Sequence, residues 1–162
     1  MKERNRQFHA NNPYMDVAIE EAWNGIRLKD GGPFGSVVVK DGKIVGRGHN
    51  RVLVNHDSTA HGEISAIRDA EQNLGTHELS GCVLYTTAEP CPMCLFACLW
   101  AGIERVYYGC NIDDTDNIGF RDEKFYDMIG QRVSLNDYVE EMDREACLEL
   151  FEYYSSLEHE LY

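Results

Sequence analysis

The chain has 162 residues, 43% hydrophobic and 27% charged, the balance of one globular domain large enough to bury a core. Its 28 acidic and 15 basic side chains leave a formal charge of −13, the reverse of the basic surface that phosphate neutralisation requires, which weighs against RNA or DNA as a partner. The longest uncharged apolar run, Cys94 to Ile103, falls far short of the ~20 residues that cross a bilayer.

Met1-Lys2-Glu3-Arg4 is followed by no apolar stretch of the secretory kind, so a cytoplasmic protein is expected. Asn12-Pro13 reads as a cap with proline at the first helical position. Val17, Ala18, Ala22, Trp23 and Ile26 then recur at helical spacing up to about Lys29. Asp30-Gly31-Gly32-Pro33 ends that helix. Phe34 to Lys40 and Lys43 to Asn50 are β-rich and joined by Asp41-Gly42, a strong hairpin signal. Arg51 to Ser58 reads as a polar loop, and Thr59 as the cap of a helix over 60–74 that Gly75 stops.

Cys82 to Thr87 is apolar on both faces, as a covered central strand is. Pro92 to Ala101 is helical and stops at Gly102, and Glu104 to Tyr108 is the next strand. From Asp113 to Asp143 the pattern predicts helical turns and a short strand near Val133. Glu140 to Leu157 predicts an acidic helix whose apolar stripe holds Met142, Ala146, Leu150, Phe151 and Tyr154. Helices alternating with strands after one hairpin imply an α/β fold with a mixed sheet covered on both faces. No linker or repeat divides the chain, so residues 1–162 are expected to form a single domain.

The chemistry concentrates in Ala88-Glu89-Pro90-Cys91-Pro92-Met93-Cys94. Cys91 and Cys94 form a fork at a helix start, where free N–H groups favour thiolate over thiol. A Cys-x-x-Cys pair alone also serves redox pairs and structural zinc sites. His61-Gly62-Glu63 narrows the choice by adding one nitrogen ligand and a nearby carboxylate. Three protein ligands, His61, Cys91 and Cys94, leave one zinc position open, the arrangement of a catalytic Zn2+. Glu63 then serves as general acid and base without ligating the metal. Two residues apart, His61 and Glu63 do not share a face of an ideal helix, so both reach one centre only at the first turn. A purely structural zinc scaffold gives Glu63 no duty. Cys82, Cys98, Cys110 and Cys147 read as small apolar core residues, and His49 as a residue lining the pocket.

The His61-x-Glu63 and Pro90-Cys91-x-x-Cys94 pair is the signature of zinc-dependent base deaminases, and the chain resembles the cytidine deaminase-like superfamily. The resemblance implies a three-layer α-β-α fold with a mixed sheet of about five strands and one zinc ion per chain. Within that superfamily it looks most like the bacterial guanine deaminases. The matching residues are Gly31-Gly32-Pro33-Phe34-Gly35, Asn50, Thr59-Ala60-His61, Gly119-Phe120-x-Asp122 and the terminal Tyr162, from about Pro13 to the end.

By that resemblance the expected reaction is hydrolytic deamination of guanine to xanthine and ammonia in purine catabolism or salvage. Phe34 would stack on the purine, Asn50 would hydrogen-bond a ring edge, and Ala60 would lie within reach of it. Asp122 would assist proton transfer to the departing amine. The resemblance also implies that Tyr162 closes the site, with the tail from about 140 to 162 swapped onto a partner subunit of a homodimer. The same zinc centre serves tRNA wobble adenosine deaminases and enzymes acting on cytosine, cytidine, related purines or triazines, which are the alternative readings. Gly62 departs from the alanine usual in the superfamily, and a looser helix start is expected from it.

Overall fold

Asn12 opens the first helix, α1 (Pro13–Leu28), with its Oδ1 accepting from the N–H groups of Tyr14 and Met15 at 2.9 and 3.0 Å. The computed structural model describes residues 6, 8–130 and 137–162. Strands β1 (Gly35–Lys40) and β2 (Lys43–His49) form the hairpin, with Asp41 and Gly42 both left-handed at φ 49° and 74°.

The expected loop 51–58 contains a one-turn helix, α2 (Val52–Asn55). Tertiary contacts create it. The Asn50 side chain accepts from the Val52 N–H, and the Asp30 carbonyl accepts from the N–H groups of Leu53 and Val54. Helix α3 (Gly62–Leu74) is capped by His61 rather than Thr59, whose N–H and hydroxyl both donate to Asp57.

Next come β3 (Cys82–Ala88), α4 (Pro92–Ala101), β4 (Arg105–Cys110), α5 (Ile112–Asn117), α6 (Asp122–Met128), β5 (Val139–Glu141) and α7 (Arg144–Ser155). The last helix therefore starts later than its acidic pattern predicts. Val139–Glu141 pairs in parallel with Val106–Tyr108, and its sheet bonds displace the helix start. The strand expected near Val133 lies outside the described residues.

The sheet order is β2-β1-β3-β4-β5. β1 is antiparallel to both its neighbours, while β3, β4 and β5 run parallel. One core lies between the sheet and helices α1 and α7, built around Met15, Ile19, Leu150 and Phe151. The other lies under α3 and α4, around Ala66, Leu84, Cys98 and Val106. This is the expected three-layer arrangement. The apolar stripe of α7 is consumed by its own chain, since Leu150, Phe151 and Tyr154 are all buried. Cys82, Cys98, Cys110 and Cys147 are fully buried as well.

Candidate active site

The carboxyl end of a parallel strand is where open α/β sheets hold their ligands, because the chain must turn there and leaves helix starts facing the crevice. Here β3 ends at Ala88, and Cys91 caps α4 with Pro92 at its first position. Tyr126 of α6 donates its hydroxyl to the Pro90 carbonyl at 2.7 Å and pins the turn. From the opposite side, the start of α3 brings His61 against the fork.

His61 Nδ1 lies 3.7 Å from Cys91 Sγ and 3.6 Å from Cys94 Sγ, and the three donors lie within 4.8 Å of one another. Bond lengths of ~2.3 Å to sulfur and ~2.0 Å to nitrogen give a tetrahedral N···S edge of about 3.5 Å, so the spacing fits one zinc ion. The donors' protonation agrees. Hydrogen bonds from Cys94 and His61 draw Cys91 down to about 4, against the opposing effect of burial. Cys94 is pushed well up by the Cys91 thiolate and by burial. His61 rises to about 9 because the Cys91 thiolate outweighs burial. The surroundings thus favour a thiolate at Cys91, and a divalent cation would satisfy all three donors at once.

His61 is the N-cap of α3 and Glu63 its second residue, so both side chains fold over the helix end into one cavity. Glu63 is buried, and its Oε1 lies 3.5 Å from the Thr86 hydroxyl. Burial and then the Cys91 thiolate raise its carboxyl above the ordinary value. Asp122, at the start of α6, lines the same cavity and is raised to about 7 by burial and the nearby Cys91 and Glu63 charges. It is a half-buried cavity residue, whereas Asp113 and Asp116 are exposed on the short helix α5.

Phe34 and Asn50 also line the cavity. Edge contacts with Phe120 at 4.8 Å and Phe151 at 5.8 Å fix the Phe34 ring. Tyr162 returns from the chain end, donates its hydroxyl to Asn50 Oδ1 at 2.7 Å, and accepts from the Gly32 N–H at 2.9 Å. Asn50 Oδ1 also accepts from the Val52 N–H at 3.1 Å, so its amide NH2 is the end left for a ligand.

Ala60 is buried beside this group, with its carbonyl accepting from the Arg51 N–H, but it does not line the cavity. Three lining residues escaped the sequence reading as site residues, Ala88, Glu89 and Phe120. Each sits inside a quoted motif, and the motif itself was their only signal. Glu89 accepts from the Ile112 N–H at 3.0 Å, which ties α5 to the cysteine turn. His49, expected in the pocket, points away from it into a cluster of charged side chains.

Fold and metal centre together define a zinc deaminase. Residues 9–110 match the family described as the cytidine and deoxycytidylate deaminase zinc-binding region, and the chain belongs to that family as a zinc-dependent hydrolytic deaminase. Among its relatives is the guanine deaminase of Bacillus subtilis (strain 168), 44% identical over 113 residues, covering 70% of this chain and 72% of the relative. A tRNA-specific adenosine deaminase of Agrobacterium fabrum is 44% identical over 96 residues, covering 59% of this chain and 62% of that protein. The solved guanine deaminase of Nitrosomonas europaea superposes with a TM-score of 0.79 at 30% identity, covering 94% of this chain and 88% of that one.

Proposed function

We propose that the chain deaminates guanine, adding water at C2 and releasing xanthine and ammonia. The observation that carries this reading is the closed end of the cavity. Tyr162, Asn50 and Gly32 form one hydrogen-bonded wall beside Phe34 and Phe120, a slot suited to a planar base rather than a polynucleotide. Likeness to guanine deaminases over most of the chain supports the same choice.

His61, Cys91 and Cys94 would hold the zinc ion. Zinc, when bound, supplies Lewis acidity that brings the pKa of water towards neutrality. Glu63 accepts a proton from the attacking water and hands it to the ring nitrogen, and its raised affinity for protons suits that shuttle. Asp122 delivers a proton to the departing amine. Asn50 donates its NH2 to an acceptor on the purine edge, Phe34 and Phe120 flank the ring, and Ala60 backs the corner that carries Asn50. Tyr162 shuts out water. A tail supplied by a partner in a swapped dimer would make the same two bonds.

The chain is read as a homodimer. Met93, Phe96, Leu99 and Trp100 leave an apolar face of α4 exposed, with Trp100 89% accessible, and Phe125 and Met128 of the adjoining α6 extend it. Met93 and Phe125 also rim the cleft outside the site, so a second copy seated there would cover its mouth. No described helix is long and apolar enough to cross a membrane. Thiolates that must stay reduced to hold zinc suit the cytoplasm.

Ammonia release from guanine, guanosine, adenine, cytosine and cytidine tests the substrate. Guanine is expected to lead, and preference for another base sinks the assignment while sparing the chemistry. The likeness to tRNA-specific adenosine deaminases supports a second reading. It would be upheld by inosine at the wobble position of incubated tRNA.

A further inference from the structure

Asn50 is held from behind by an ionic cluster outside the cavity. The preceding residue, His49, ends β2 with both ring nitrogens on carboxylates, Nδ1 3.0 Å from Glu21 and Nε2 2.8 Å from Asp30. All three side chains are largely buried. A neutral imidazole carries one N–H and can donate to only one carboxylate, so with both carboxylates ionised this geometry calls for the imidazolium.

The following residue, Arg51, reaches the same Asp30 oxygen at 3.1 Å. The residues on both sides of Asn50 are therefore tied to one carboxylate. Asp30 also holds α2 through its carbonyl. Two glycines seat the corner: a Cβ at Gly25 would fall 2.6 Å from the His49 ring, and one at Gly31 would fall 2.1 Å from Asn50 Oδ1. The ring lies against α1, and the amide lies against the loop that follows it.

We propose that His49 is a positioning residue. As an imidazolium bridging Glu21 and Asp30 it fixes the corner that presents the Asn50 amide, so productive base binding depends on its protonation. This rests on the reading that Asn50 contacts the base.

The groups facing His49 are Glu21 of α1, with Glu20 behind it on Arg47, Asp30 of the following loop, Arg47 of β2 and Arg51 of the corner. Three carboxylates thus meet two guanidiniums and one imidazole, and the group is neutral only when His49 is charged. Burial pushes His49 towards the neutral form, but the bonds to Glu21 and Asp30 outweigh it and raise it above its ordinary value. Loss of the proton leaves two buried carboxylates facing an imidazole that can serve only one of them.

The test joins a titration that needs no mutation to steady-state kinetics on the zinc-loaded protein. NMR of the histidine ring nitrogens should show His49 doubly protonated at neutral pH. The Asn50 NH2 resonances should move with the His49 midpoint, and KM for guanine should rise above that midpoint while kcat stays flat. His49→Gln should raise KM about tenfold at neutral pH with zinc content and kcat within about twofold, and should abolish that pH limb. His49→Lys, which keeps a charge able to reach both carboxylates, should restore KM to within about threefold and remove the limb.

A neutral His49 at pH 7, Asn50 resonances indifferent to its titration, or a His49→Gln variant with unchanged KM would each overturn the proposal. So would equal loss of kcat in both variants. Absence of guanine turnover in the parent protein refutes the substrate instead, and the two NMR readings then decide the role of His49 alone.

Discussion

Glu63 and Gly62 show how two neighbouring residues do different work at one helix start. Glu63 ligates nothing in the proposed chemistry, so Glu63→Gln should keep one zinc per chain by metal analysis and lose roughly 10²- to 10⁴-fold in kcat. Equal loss of zinc and rate would recast it as a structural residue. Gly62 was expected to loosen the helix. The structure gives it a different job, because a Cβ there would lie 2.9 Å from the Phe34 carbonyl oxygen and 3.1 Å from its carbon. That same carbonyl accepts from the Asn50 N–H at 2.8 Å. Gly62→Ala must push backbone, not a flexible side-chain end, and so displaces both proposed base contacts. It is expected to raise KM for guanine about tenfold with zinc retained. An unchanged KM would mean that the loop yields at no cost to binding.

Short elements with no clear periodicity close this site, and single polar bonds hold them. Asn111 and Asp114 form a capping box at the start of α5, and Arg144 of α7 grips Asp114 with two bonds at 2.7 and 2.6 Å. Burial opposes the Asp114 charge, but Arg144 and the Asn111 N–H hold its carboxyl below the ordinary value of 3.8. A lowered folded-state value means stability that is present above about pH 4 and fades as pH falls through the lowered value. Asp114→Asn should therefore lower stability at neutral pH and flatten the acid limb of a denaturation-against-pH curve. A limb that keeps its slope would place acid sensitivity elsewhere. The tail behaves as one more such element. Removing Tyr162 frees Asn50 Oδ1 and the Gly32 N–H to water, and KM is expected to rise more than kcat falls.

For the whole molecule, the candidate zinc site and the exposed apolar face of α4 each put the proposed assembly to a test. Zinc held by His61, Cys91 and Cys94 would join the starts of α3 and α4 on one face of the sheet, so a strong chelator should lower the melting temperature by at least about 5 °C, recoverable on adding zinc. An unmoved melting curve with zinc demonstrably removed would make the metal a passenger in folding. Trp100→Glu should convert a dimer to a monomer by light scattering while zinc stays bound. A parent protein already monomeric at micromolar concentration would remove the dimer from the proposal.

The sequence by itself determined the main helices and strands as far as β4, the hairpin at Asp41-Gly42 and the candidate zinc cluster of His61, Cys91 and Cys94, because these follow from local periodicity, turn chemistry and ligand spacing. Pro92 through Gly102 illustrates this, with start and stop signals that match the observed helix α4 and its cap. Only the tertiary structure decided the rest. The α2 turn exists because Asp30, far back in the chain, offers its carbonyl, and α7 starts late because a parallel neighbour claims Val139–Glu141. The same holds for His49, which in sequence is one more strand residue. Its charge and its grip on the Asn50 corner come from Glu21 and Asp30, carboxylates brought to it across the fold, and such contacts leave no local pattern to read.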